Sequence, residues 1–293
     1  MQLGAFYPFS RNHNTDNGID QDPVSLGEPV IESARSALNV RYKLLPYLYN
    51  LMVKAHLTGS PVARSMLLNY PNDRQAYALD EQFMWGKDFL IVPVLEDQKF
   101  EVTGYFPRDV WYDYYDKNPP IHGTGHFETV EAPETFIPLF VRGGAILPLQ
   151  INGMTTTSSR QNAFQLKVYL PFNKESEEDE IESKGELYLD DGDDVDSYLE
   201  NRFTHIEFSC TESETMKGGT LISLIQKGKD IQSDQNTILE SIYIYGVRNQ
   251  ELITSVTLND NPVPFSTNGM SLTIQNIHHD LMNKFDLVWN TNE

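Results

Sequence analysis

Apolar residues recur at steps of three and four along one early stretch of the chain: Ala34, Leu38, Tyr42, Leu45, Leu48, Met52 and Ala55. That spacing predicts a helix over 33–58, entered at Ser33 as N-cap and stopped by Gly59-Ser60-Pro61. Pro46 falls inside the pattern, where a proline costs about 3 kcal/mol or kinks the helix. So wide an apolar face needs a large surface to pack on. Without one it is expected to be exposed and adhesive.

After Pro61 the period drops toward two. Phe89 to Leu95, Phe100 to Phe106 and Phe136 to Val141 read as short strands, set apart by Asn72-Asp73, Pro107-Arg108-Asp109, Asn118-Pro119-Pro120 and Gly143-Gly144. From about Ile151 the same style continues. Leu166 to Leu170, Gly185 to Leu189, His205 to Cys210, Leu221 to Ile225, Ser241 to Tyr245 and Phe285 to Trp289 suit strands. The acidic run Lys174 to Lys184 reads as a solvated loop. Short strands with regular turns predict antiparallel sandwiches, and the expected division is 1–60, 61–150 and 151–293.

Composition narrows the classes. The 293 residues include 42 acids against 22 bases, a net charge of −20, which disfavours nucleic acid as a partner. Twelve of the acids lie between Glu175 and Asp196, so much of the imbalance is local. No apolar run approaches the roughly 18 residues of a membrane span. The single cysteine, Cys210, excludes an internal disulfide and a cysteine zinc cluster. Met1 leads directly into Gln2-Leu3-Gly4, with no charged n-region or apolar h-region, and the compartment stays open.

Few residues carry chemistry by pattern alone. The turn Asp190-Asp191-Gly192-Asp193-Asp194 invites calcium, yet its glycine is misplaced for an EF-hand loop. No cofactor is expected. Trp111-Tyr112-Asp113-Tyr114-Tyr115 is either a platform for sugar rings or, by its alternation, a core face. His122 and His126 flank glycines and lack a helical ligand face.

The most specific stretch is Leu3 to Asn14, LGAFYPFSRNHN. It is followed in order by Gln21-Asp22-Pro23, Arg41 to Tyr49, Val102 to Pro107, Trp111-Tyr112-Asp113, Val141 to Gly144 with Pro148, and Glu186 to Gly192. These signatures resemble glycoside hydrolase family 31 α-glucosidases of the maltase, sucrase-isomaltase and lysosomal type. The likeness implies a mainly β chain: the end of a (β/α)8 barrel with its last strand and helix in 1–60, then two C-terminal antiparallel β-sandwich domains. It implies that His13 hydrogen-bonds the sugar in the subsite of the cleaved residue, with Arg11 a weaker substrate-binding candidate. A histidine just after a barrel strand would sit at the chemical end of the barrel.

The family's nucleophile and acid/base are aspartates in Trp-x-Asp-Met-Asn-Glu and Gly-Asp-Asn contexts upstream of this region, and neither pattern occurs here. The expectation is therefore a fragment of a retaining α-glucosidase that acts on maltose- or starch-type α-glucosides and is inactive alone. Its partners are an α-glucoside oligosaccharide and the missing N-terminal part of the barrel. The likeness also implies a secretory route. The other reading is a non-catalytic β-sandwich module that binds carbohydrate or braces a barrel.

Overall fold

The structure is a computed structural model that describes residues 2–171, 180–213, 215, 217–227 and 235–292. It is mainly β, as expected, and its chain divides into two compact units. One comprises 1–42 and 54–142, the other 43–53 and 143–293.

The helical pattern is realised as two helices, α1 (Glu28–Lys43) and α2 (Leu45–Thr58). Each carries a proline at its second position, Pro29 and Pro46. There the missing N–H is one the helix leaves unused anyway. Pro46 therefore begins a helix instead of kinking one. Ser33 is not an N-cap but lies inside α1, where its hydroxyl donates to the Glu134 carbonyl at 2.5 Å. The helical apolar residues are largely buried: Ala34, Ala37 and Val40 on α1, and Tyr47, Leu48 and Leu51 on α2. Met52 and Leu57 of α2 stay exposed, and on the N-terminal segment Phe9, Ile19 and Val24 are 75%, 83% and 74% accessible.

In the first unit, β1 (Ala63–Arg64), β2 (Phe83–Trp85), β3 (Phe89–Ile91), β5 (Val110–Asp113), β6 (Ile121–His122) and β8 (Leu139–Arg142) form one antiparallel sheet, ordered β1-β2-β3-β8-β5-β6. A separate ribbon pairs β4 (Glu101–Phe106) with β7 (His126–Glu131). Met84, Leu90, Val92, Phe106, Trp111 and Phe140 share its core.

The second unit is built on one eleven-stranded sheet. Its central strands are β9 (Ala145–Gln150), β10 (Phe164–Tyr169), β11 (Glu180–Leu189), β12 (Thr204–Ser213), β13 (Gly218–Lys227) and β14 (Ile238–Tyr245). Two of its pairings, β10 with β14 and β9 with β11, are parallel. Every residue of β9 is buried, the continuous burial a strand shows when both faces are covered. The expected acidic loop is in part a strand: Glu180 to Lys184 opens β11, with Ile181 and Ser183 buried and Glu180 and Glu182 exposed. Residues 174–179 of that run lie outside the described residues.

Within this unit α2 is stitched to β11. The Asn50 amide donates to the Glu186 carbonyl at 2.5 Å and accepts from the Tyr188 N–H at 2.8 Å, so one side chain completes a strand edge. Tyr49 donates to Asp190 at 2.6 Å, and burial pushes the Tyr49 hydroxyl well above its usual pKa.

Candidate functional site

The N-terminal stretch is held at its root. Gly4–Phe6 forms a 3₁₀ turn whose Ala5 and Phe6 are fully buried. Phe6 packs on Trp85 and Phe89, with ring centroids 5.4 and 6.3 Å away. The Trp85 indole N–H donates to the Phe6 carbonyl at 2.5 Å. Arg41, on α1, closes the same turn from the other side. Its Nη1 donates to the carbonyls of Ala5 (2.5 Å) and Tyr7 (2.7 Å), and Nη2 to that of Pro8 (3.0 Å). Its Cζ lies 5.8 Å from the Trp85 ring centroid, within cation–π range. Burial lowers the pKa of this guanidinium, which nonetheless stays charged at any working pH. A planar guanidinium with five donors in a rigid fork suits three carbonyls arranged around it.

Beyond Pro8 the chain becomes exposed, and Asn12 and Asn14 fasten it. Their amides donate to the carbonyls of Gln21 (2.9 Å) and Ile19 (2.8 Å). Asn14 also accepts from the Thr15 N–H at 2.8 Å. Gly18 is dictated by this arrangement, because a Cβ there would sit 2.2 Å from Asn14 Oδ1. Farther on, Asp22 accepts from the N–H groups of Val24 (3.0 Å) and Ser25 (3.1 Å). Hydrogen bonding with Ser25 holds its carboxyl below the usual range. That direction suits a turn cap and opposes a proton donor.

Arg11 and His13 both lie in this loop and both are exposed. His13 sits between the two fastening asparagines. Both substrate-binding candidates are thus at the surface, while the residues that fix the turn and the loop, Arg41, Trp85, Asn12 and Asn14, received no role from pattern. For Arg41 the sequence signal was weak, since its carbonyl partners lie 33 to 36 residues away.

The other candidates have structural roles. Trp111 is not a sugar platform: it is fully buried, and its indole N–H donates to the Pro107 carbonyl at 3.0 Å. Asp113 caps the next turn, accepting from Tyr115 and Asn118. In the Asp190–Asp194 turn the carboxylates of Asp190, Asp191 and Asp194 each accept from nearby backbone N–H groups. Asp191 accepts from the N–H groups of Asp193 and Asp194, and Arg202 pairs with Asp191 and Asp194. Among the described residues no group of three or more acidic, histidine or cysteine side chains is placed to hold a metal ion.

Comparison with known proteins bears on this arrangement. Residues 1–51 match the family model of the glycosyl hydrolases family 31 TIM-barrel domain, and residues 59–147 match that of the family 31 C-terminal domain. Among curated relatives, human probable maltase-glucoamylase 2 is 44% identical over 213 residues, covering 73% of this chain and 8% of that protein. Rat lysosomal alpha-glucosidase is 36% identical, covering 81% of this chain and 26% of its own length. Human intestinal sucrase-isomaltase is 36% identical, covering 96% and 15%. The chain thus spans between 8% and 26% of the length of these relatives.

Among solved structures, a Flavobacterium johnsoniae family 31 dextranase complexed with isomaltotriose superposes with a TM-score of 0.84. It is 23% identical and covers 99% of this chain and 36% of that one. A Tris-bound glucosidase II alpha subunit gives 0.85 at 24% identity, covering 99% and 32%. These two likenesses show the fold.

Proposed function

The chain belongs to glycosyl hydrolase family 31, and from that premise we propose that residues 1–60 form one edge of the sugar subsite in a retaining α-glucosidase. His13 hydrogen-bonds a hydroxyl of the terminal α-linked glucose, and Arg11 orients the loop around it. The observation that carries this reading is the way the loop is fixed. Arg41 and Trp85 lock Ala5 to Pro8, and Asn12 and Asn14 tie the loop on both sides of an exposed His13. A neutral imidazole offers one donor and one acceptor, a match for a sugar hydroxyl, and a fixed loop spares the ordering cost on binding.

The chemistry itself belongs to two carboxyl groups roughly 5–5.5 Å apart, one a nucleophile and one an acid/base. The family's two aspartate motifs do not occur in these 293 residues. In this reading they come from the rest of a barrel that needs eight strands to close, and the chain alone does not hydrolyse its substrate. Maltose- and starch-type oligosaccharides are the proposed substrates.

The test is assembly with a separately expressed family 31 barrel segment that carries both aspartate motifs. His13→Ala should lower kcat/KM for p-nitrophenyl α-glucoside by about 10- to 100-fold, the loss of a hydrogen bond to substrate. His126→Ala should leave it unchanged. Equal activity of the two variants would overturn the role given to His13.

A second reading, a non-catalytic module that binds carbohydrate or braces a barrel, is favoured by one observation. Most of the chain lies in β-rich units with their own cores.

A further inference from the structure

The ribbon of the first unit presents a face that is exposed at Glu101, Thr103, Phe127, Thr129 and Glu131 and anchored at the buried Tyr105. In register, Glu101 pairs with Glu131, Thr103 with Thr129, and Tyr105 with Phe127. Strand alternation places all six on one side. The hydroxyls of Thr103 and Thr129 are 2.9 Å apart. Phe127 leans on the Tyr105 edge at 5.1 Å and keeps 52% of its surface exposed.

Glu101, Thr103 and Phe127 of this ribbon line a cleft of about 460 Å³ together with Asp80, Glu81, Val92 and Leu95. That volume falls within the range of small-molecule sites. The ribbon is fixed in place. The buried Gln82 amide donates to the Tyr105 carbonyl at 2.9 Å and accepts from its N–H at 2.7 Å, as a neighbouring strand would. Tyr105 donates to Asp73 at 2.5 Å. Gly104 lets β4 approach Val92, since a Cβ there would lie 2.9 Å from its Cγ1.

The lining selects its ligand. Asp80, Glu81, Glu96 and Glu101 border the cleft, and its lysine, Lys99, is paired with Glu96 at 3.6 Å. Such a surface repels phosphates and carboxylates. Carboxylate oxygens accept hydrogen bonds from ligand hydroxyls, while Phe127 and the 54% exposed Leu95 offer an apolar surface. A ligand with a rim of donors and a flat C–H face meets both demands. A pyranose has that form.

We infer that this cleft binds a neutral oligosaccharide of α-linked glucose, stacked on Phe127 and hydrogen-bonded by Glu101 and Thr103, at a site separate from the His13 loop. The choice of α-glucose rests on the function proposed above.

Calorimetric titration of the chain with maltotriose and cellotriose tests it. Maltotriose should bind in preference to cellotriose. Phe127→Ala should weaken maltotriose about tenfold with an unchanged melting temperature, and Glu101→Gln should weaken it severalfold. If the alanine variant melts early, Phe127→Leu keeps the apolar bulk without the flat ring and should weaken binding likewise. His13→Ala should leave this binding intact. Absence of maltotriose binding, equal binding of cellotriose, or unchanged affinity in both Phe127 variants would each overturn the inference. Binding lost in His13→Ala but kept in Phe127→Ala would also overturn it while leaving the His13 reading standing. The activity test on the assembled barrel decides that reading independently.

Discussion

Replacing Arg41 by methionine removes the fork that holds the N-terminal turn while keeping most of the side chain's apolar stem. Three charge-assisted hydrogen bonds are lost, to the carbonyls of Ala5, Tyr7 and Pro8. Hydrogen bonds to charged groups contribute about 1.5–3 kcal/mol each when buried. Here one is exposed and two are half-buried, so water replaces part of each. Loss of the contact with Trp85 adds about 0.5–1 kcal/mol. A local destabilisation of about 2–4 kcal/mol follows.

Its reporters are the Phe6 and Tyr7 amides, which donate within the turn to Leu3 and Gly4 at 3.0 and 3.2 Å. By hydrogen exchange they should open roughly 30-fold faster or more in Arg41→Met, since each 1.4 kcal/mol is tenfold. Amides of β3 should be unaffected. Arg41→Lys keeps the charge but not the fork, and should fall between the two. If Arg41→Met exchanges like the wild type, or if lysine restores full protection, the three-pronged geometry is not what holds the turn.

Trp111→Ala empties a fully buried site and should cost about 3–5 kcal/mol in thermal unfolding. A sugar platform would instead lose binding at an unchanged melting temperature. Gly18→Ala drives a Cβ against Asn14 Oδ1 and should release the Asn14 to Ile19 hydrogen bond, read as faster exchange across residues 14–19 with no change in the two β cores. The Asp190–Asp194 turn should open in acid. Hydrogen bonds from the Asp194 and Asp193 amides, and then from Arg202, hold the Asp191 carboxyl below the usual aspartate range. A carboxyl lowered by folding stabilises above its unfolded pKa, and that stabilisation fades as pH falls through the folded value. Shifts of the Asp193 and Asp194 amide resonances, whose N–H groups donate to Asp191, should therefore appear only as pH falls below the ordinary aspartate range and vanish in Asp191→Asn.

Much of the fold was legible because strands with one covered face alternate. Phe89 to Leu95, Phe100 to Phe106 and Leu166 to Leu170 each contain or overlap an observed strand. Where legibility failed, a second signal masked the first. Glu180 to Lys184 alternates as a strand should, but its charge reads as loop. Ala145 to Gln150 is covered on both faces, so its apolar run does not declare which sheet it joins. The break between α1 and α2 was hidden because the apolar spacing runs on through Leu44 and Leu45, whereas the two prolines each mark a first turn. At the site, the loop carrying His13 was recognisable by likeness alone. The contacts that fix it join Arg41 to residues more than thirty positions earlier, a relation that no local period encodes.

The central claim is that this chain supplies a sugar-binding edge and that the two catalytic carboxyl groups come from elsewhere. It is tested most directly by incubating the purified chain with p-nitrophenyl α-glucoside, alone and as His13→Ala. The account predicts release of p-nitrophenol no faster than in buffer for both. Hydrolysis by the chain alone that disappears in His13→Ala would contradict it.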